Sequence, residues 1–170
     1  MNIVLLSTLF LVGGTVHPVS GPVIKDATIV IEDGRIKAVG TEITVPAGAT
    51  RLDVSGQVVT PGFFDPWTRL GLVEISGVDH TNDADEGGSD AIRASHRITD
   101  SFNPASSLIP VQRVHGVTTV GVAPRGGIVS GQAAVYDLGH REPVKAHVGI
   151  VAGFGARGGG SRSATLSRLR

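Results

Sequence analysis

Alternating apolar and polar positions predict a β-rich first third of the chain. Residues 27–32 and 35–40 both show this alternation, and Asp33-Gly34 separates them. Asp-Gly between two alternating runs is a strong signal for a tight β-hairpin. Further short apolar runs end at turn residues throughout this part of the chain. The pattern predicts a small all-β module over residues 1–57.

From residue 58 the pattern changes to an alternation of strands and helices. Residues 117–123 predict a buried strand, because they are mostly β-branched, uncharged and bounded by Gly116 and Pro124. Other predicted strands are at residues 58–60, 131–138 and 148–152, and helices at residues 91–98, 104–114 and from Ser161 onwards. Strands that alternate with helices predict a parallel barrel or a doubly wound sheet over residues 58–170.

The apolar N-terminal segment permits two interpretations. Residues 1–12 could form a buried first strand or contain the remnant of a signal peptide. The strand is favoured, because the segment lacks a basic start and leads directly into turn residues at His17-Pro18. The segment is also too short to span a bilayer. We expect a soluble chain, with the cytoplasm favoured over a secreted or periplasmic location.

Composition narrows the classes of partner. The chain has 15 basic and 15 acidic side chains, so nothing in its charge favours nucleic acid or an anionic membrane as a partner. It has no cysteine, which excludes disulfides and thiolate metal sites. A small-molecule substrate is expected if the chain is part of an enzyme, and the formation of a homo-oligomer is left open.

The candidate site follows the turn signal Pro61-Gly62. Four residues after this turn are candidates for an active face, the surface that would contact a substrate: Asp65, Trp67, Arg69 and Glu74. Asp65 could be a functional residue at the end of a strand, or it could cap the turn that follows. The structural role, capping the turn, is favoured. The arginine could bind a carboxylate or phosphate through both nitrogens, or pair with one of the two acids, and the pairing is favoured.

Other polar segments predict no cofactor site in this chain. Residues 79–86 are rich in acidic side chains but lack the spacing of an EF-hand, so a solvated loop is favoured. Residues 124–131 are rich in glycine but lack the Gly-Lys-Ser/Thr ending of a phosphate-binding loop. No two histidines have the spacing of a paired metal motif.

Several motifs in order resemble the amidohydrolase superfamily, particularly its imidazolonepropionase-like branch. In that branch, a string such as Pro61-Gly62-Phe63-Phe64-Asp65 leads into a His-x-His metal pair, whereas the matching positions here are Trp67 and Arg69. Indole offers no lone pair and guanidinium is a permanent cation, so neither can bind a divalent ion in that manner. The other matching segments are residues 70–75, 103–104, 113–120 and 130–132.

The resemblance implies an α/β fold with a β-rich N-terminal module. A small composite β-sandwich would span residues 1–57, and the truncated first part of a TIM-like (β/α)8 metallo-hydrolase barrel would span residues 58–170. Because the last helix stops at Arg170 without a terminator, the resemblance indicates an N-terminal fragment. A free-standing β/α protein without an enzymatic past is ranked last.

The resemblance also implies an activity. The parent protein would hydrolyse non-peptide C–N bonds through a water activated by zinc or a similar divalent metal, and this chain alone would be inactive. The replaced histidine pair supports an alternative, a non-catalytic paralogue that acts as a binding or structural partner.

Overall fold

The computed structural model describes residues 8–85, 90–154 and 160–170. The first seven residues, which carry most of the ambiguous N-terminal segment, lie outside this part, as does Glu86 of the acidic loop. The chain divides into two compact units between Pro61 and Gly62. Within the described residues, no helix has both the length and the apolar character needed to cross a bilayer.

The first unit is a five-stranded mixed sheet. Strands β2 and β3 are antiparallel neighbours, β1 is antiparallel to β2, and both β4 and β5 run parallel to β1. The strands are β1 (Leu9–Val16), β2 (Ile24–Glu32), β3 (Arg35–Gly40), β4 (Thr50–Asp53) and β5 (Val58–Val59). This confirms the β-rich character predicted for the start of the chain.

The hairpin predicted around Asp33-Gly34 is confirmed. Both residues have positive φ angles, 54° and 72°, which is the conformation of a type I′ turn that Asp-Gly adopts readily. The turn joins β2 to β3, and Glu32 pairs with Arg35 across it. Local turn chemistry alone therefore determines this part of the sheet.

The strand predicted at residues 58–60 was assigned to the wrong sheet. Val58 and Val59 pair with Thr15 and Val16 of β1 and belong to the first unit. Val59 packs against the small core of that unit, which consists of Val16, Ala27 and Ile29. Burial of its β-branched side chain explains why the segment joins this sheet.

The second unit is a four-stranded sheet with two short helices. Its order is β6-β7-β8-β9, in which only β6 and β7 are parallel. The elements are β6 (Phe63–Thr68), α1 (Leu108–Val114), β7 (Val117–Val122), β8 (Val129–Asp137), β9 (Pro143–Ala152) and α2 (Arg162–Leu169). The buried strand predicted from residue 117 is confirmed as β7.

The predicted strands at residues 131–138 and 148–152 correspond to β8 and β9, but they run antiparallel to their neighbours. The expected parallel alternation therefore holds only for β6 and β7. The reason is the connection at residues 123–128, which is too short for the crossover that a parallel pair requires. The structure thus shows a β-rich mixed fold. That these strands begin a (β/α)8 barrel is a proposal.

The helix predicted at residues 91–98 is wrong. The backbone there accepts hydrogen bonds from β8 and the residue before it. Ile128 N donates to Ala91 O at 2.7 Å, and Gln132 N donates to His96 O at 2.7 Å. Only a single 3₁₀ turn follows, at Ile98–Asp100. Hydrogen bonds to a distant strand have replaced those of a helix.

The other two predicted helices exist, with one corrected start. Helix α1 begins at Leu108 rather than at Pro104, because Asn103 Oδ1 accepts from Ala105 N at 3.0 Å and holds a turn there. Helix α2 begins as predicted, with Ser161 Oγ accepting from Ala164 N at 3.1 Å.

The core of the second unit surrounds Tyr136. This side chain is 2% exposed, and its ring stacks on Phe102 with 3.7 Å between the ring centroids. Leu72, Ile98 and Val120 are buried in the same cluster. Residues 70–85 and 90–102 therefore contribute to the core, although these described residues form no strand of the sheet.

Burial raises the pKa of Tyr136, and the charges of Glu142 and Asp100 raise it further. As pH rises past about 10, the unfolded chain loses this proton before the folded chain does. The free energy of unfolding is then expected to fall, because the unfolded state binds fewer protons. The Tyr136→Phe variant has no phenolic proton, so its free energy of unfolding should decrease less over this pH range.

Tyr136 is the only tyrosine of the chain, so tyrosinate absorbance follows its titration directly. The measurement compares absorbance and urea unfolding of the native chain and of the variant through this pH range. Ionisation of the folded chain at the ordinary tyrosine pKa would contradict the prediction.

Candidate functional site

Strand β6 contains a bulge that shapes the candidate site. Asp65 pairs with Val120 of β7, and Thr68 pairs with Val122, so β6 has one more residue than β7 between these pairs. The bulge includes Pro66, which has no N–H to give to the ladder. The Pro66 carbonyl lies so close to Gly121 that a Cβ there would overlap it. The glycine of β7 therefore permits the bulge.

Asp65 caps this bulge. Its Oδ1 accepts from Trp67 N at 3.1 Å, and its side chain is exposed. A similar short-range bond follows, in which Thr68 Oγ1 accepts from Leu70 N at 3.2 Å. This geometry agrees with the turn-capping role favoured for Asp65.

An open depression of about 720 Å³ lies at the carboxyl ends of β6 and β7. Three of the four residues assigned to the active face line it. The polar and aromatic side chains around it include Asp65, Trp67, Arg69, Gln112 and Arg125, and Val73 and Leu108 are among the apolar ones. The carboxyl ends of parallel strands are the usual place for a ligand in α/β folds.

The pairing favoured for Arg69 is wrong. No ion pair joins it to Asp65 or Glu74, all of which the structure describes. Arg125, which the sequence did not single out, is placed in the same depression by β7 and is also exposed. The two guanidinium groups therefore border one open space.

Glu74 lies apart from the other three predicted residues and does not line the depression. Its two carboxylate oxygens accept from Asn103 Nδ2 at 3.0 Å and from Ser106 Oγ at 2.8 Å. It thereby ties the segment after β6 to the turn before α1. These contacts assign Glu74 a structural task.

Sequence reasoning missed a partly buried ion pair between Arg93 and Asp85. The arginine is 7% exposed, and its Nε also donates to Asp90 O at 2.8 Å. Gly126 lies directly against the aspartate, since a Cβ there would overlap the carboxylate. The two residues are eight positions apart, a spacing that indicates no regular contact, so the sequence gives no signal for the pair.

The motif Ser130-Gly131-Gln132 also has a structural explanation. Gly131 has a φ of 128°, and a Cβ there would meet the His96 backbone. The neighbouring side chain extends the contact, because Gln132 Nε2 donates to Ala94 O at 3.0 Å. The motif thus fastens residues 91–97 to β8.

The donor set does not fit a metal ion. Among the residues that the structure describes, no group of three or more His, Asp or Glu side chains is placed to hold one. At the two positions of the expected histidine pair, Trp67 lacks a lone pair and Arg69 carries a fixed positive charge.

Comparison with known proteins finds relatives that match this chain over part of their length. No protein-family model matches the chain. Imidazolonepropionase of Paracoccus denitrificans is 30% identical over 121 residues, which cover 62% of this chain and 30% of that protein. The 5-methylthioadenosine/S-adenosylhomocysteine deaminase of Symbiobacterium thermophilum is 28% identical over 180 residues, covering 96% of this chain and 37% of that protein.

A solved structure gives the same result for the fold. The crystal structure of an amidohydrolase from Thermotoga maritima superposes with a TM-score of 0.78 at 25% identity, covering 95% of this chain and 42% of that one. The chain is thus related to the amidohydrolase superfamily, a family of hydrolases. Within it, the matches show an imidazolonepropionase-like relationship. The chain spans about a third of the length of the curated relatives it matches over 118 residues or more.

Proposed function

We propose that this chain supplies the N-terminal part of an amidohydrolase-type hydrolase of non-peptide C–N bonds, and that it has no turnover by itself. The observation that carries the proposal is the likeness to a solved amidohydrolase over 95% of the chain. The open depression at the carboxyl ends of β6 and β7 supports it, because this is where a barrel enzyme of the family would hold its substrate. The first unit would form part of a composite β-sandwich.

Metal chemistry would have to come from residues other than those that the structure describes. The family resemblance implies a metal-bound water as the nucleophile. The side chains at the mouth of this depression do not fit a divalent ion, so we derive no step of hydrolysis through them. What they can do is bind and orient a small substrate: Arg69 offers paired N–H donors, and Trp67 offers a flat apolar surface.

The test measures zinc content and hydrolysis by the isolated chain. We expect less than stoichiometric zinc after dialysis against a zinc buffer, and no hydrolysis of imidazolonepropionate or dihydroorotate above the rate without protein. Hydrolysis that Asp65→Ala abolishes would contradict the proposal. Arg141→Gln, a change in an exposed turn away from the depression, serves as the control.

A second candidate function is a non-catalytic paralogue that acts as a binding or structural partner. The replacement of both expected histidines by Trp67 and Arg69 favours it. A longer protein that contains this chain separates the two proposals. Stoichiometric zinc in that protein would contradict the non-catalytic alternative, whereas substrate binding without zinc or turnover would support it.

A further inference from the structure

Two arginines from different strand ends border the same depression. Arg69 directly follows β6, and Arg125 follows β7, the parallel neighbour of β6. We propose that they bind the carboxylate of a small organic acid with a planar body, and that Trp67 covers that body. The proposal deepens the proposed function, since it takes the same depression as the substrate site.

The charges around the depression favour an anion. Its lining contains two guanidinium groups and one carboxylate, Asp65. Within the described part of the chain, neither Arg69 nor Arg125 forms an ion pair, so no acid among these residues competes for them. Each guanidinium can give two parallel N–H donors to a carboxylate. The fixed positive charge that disfavours a metal at position 69 is thus the feature that attracts an anion.

The walls of the depression favour a planar organic acid over a simple inorganic ion. The Trp67 side chain is 65% exposed, which leaves its ring accessible for stacking. Leu108 and Val73 add apolar surface. A volume of about 720 Å³ lies within the usual range for small-molecule sites. A hydrated phosphate ion would gain little from these apolar walls.

The chain provides its own probe for the test, because Trp67 is its only tryptophan. We expect titration with benzoate to change tryptophan emission with saturation. Benzamide, the uncharged isostere, and inorganic phosphate should produce at least about tenfold weaker binding, since each lacks half of the proposed recognition. Added salt should weaken benzoate binding and leave benzamide unaffected.

Variants separate the arginines from general charge effects. Arg69→Gln and Arg125→Gln are each expected to weaken benzoate binding about tenfold, because each removes a charge-assisted pair of hydrogen bonds. Arg141→Gln, with the same loss of charge in an exposed turn, should bind as the native chain does. Circular dichroism checks that each variant is folded, and Arg→Lys at the same position replaces any variant that is not, with weaker binding again expected.

Equal binding of benzoate and benzamide would overturn the proposal, as would unchanged affinity in the Arg69 and Arg125 variants. Tighter binding of phosphate than of benzoate would overturn the choice of a planar carboxylate. The titration measures binding alone, so its failure removes the carboxylate site whatever the hydrolysis assay shows. Hydrolysis by the isolated chain would contradict the proposed function without altering the titration.

Discussion

Gly121→Ala is expected to lower the free energy of unfolding of the second unit by about 3 kcal/mol, at the upper end of the usual cost of overpacking. The added Cβ would overlap the Pro66 carbonyl, which is backbone and has no rotamer by which to move away. The strand pair β6-β7 must separate or lose its bulge. Urea unfolding followed by tryptophan emission measures the change, because Trp67 lies in that bulge.

Gly149→Ala is the matched control. Gly149 lies in β9 of the same sheet, and a Cβ there would have no neighbour within 4 Å. We expect its effect to stay within about 0.5 kcal/mol, as for other surface substitutions. Equal stability of the two variants would contradict the close contact between Pro66 and Gly121. The Gly121 variant should also lose benzoate binding, since the bulge positions the mouth of the depression.

Tyr136→Ala is expected to cost about 4 kcal/mol, the middle of the range for truncating a buried aromatic side chain. Tyr136 is almost completely buried and stacks on Phe102. Its removal leaves a cavity beside Leu72, Ile98 and Phe102. The surrounding backbone is held by hydrogen bonds that prevent collapse, including one in which Asn103 N donates to Gly71 O at 2.7 Å.

Phe154→Ala provides the comparison for that truncation, because the Phe154 side chain is 58% exposed in the same unit. Its loss should change the free energy of unfolding by less than about 0.5 kcal/mol. The two variants are compared by urea unfolding followed by circular dichroism. A Tyr136→Ala variant no less stable than Phe154→Ala would contradict the assignment of Tyr136 to the centre of the core.

Features that depend on adjacent residues were predictable from the sequence. Asp33-Gly34 determines its own turn, and Ser161 caps its own helix, because both act within four residues of the chain. The family relationship was also predictable, since its motifs recur in order along the chain. The grouping of Asp65, Trp67 and Arg69 in one site was predictable as well, because they lie within five residues of one another in the chain.

Features that depend on distant partners were not predictable. Residues 91–98 have the composition of a helix, but hydrogen bonds to β8 hold them in turns. Val58 and Val59 look like any buried strand, and only the partner strand β1 decides which sheet they join. Arg125 enters the depression through the parallel pairing of β6 with β7. The Arg93–Asp85 pair joins residues only eight positions apart, but this spacing belongs to no regular element, so no local pattern indicates it.

The division between Pro61 and Gly62 has a consequence for spectroscopy. The single tryptophan and the single tyrosine, Trp67 and Tyr136, both belong to the second unit, so the first unit has no strong near-ultraviolet chromophore. A melting curve recorded by fluorescence reports the second unit alone, whereas amide circular dichroism reports both. Subtracting the normalised fluorescence curve from the normalised circular dichroism curve would isolate the unfolding of the first unit without a label.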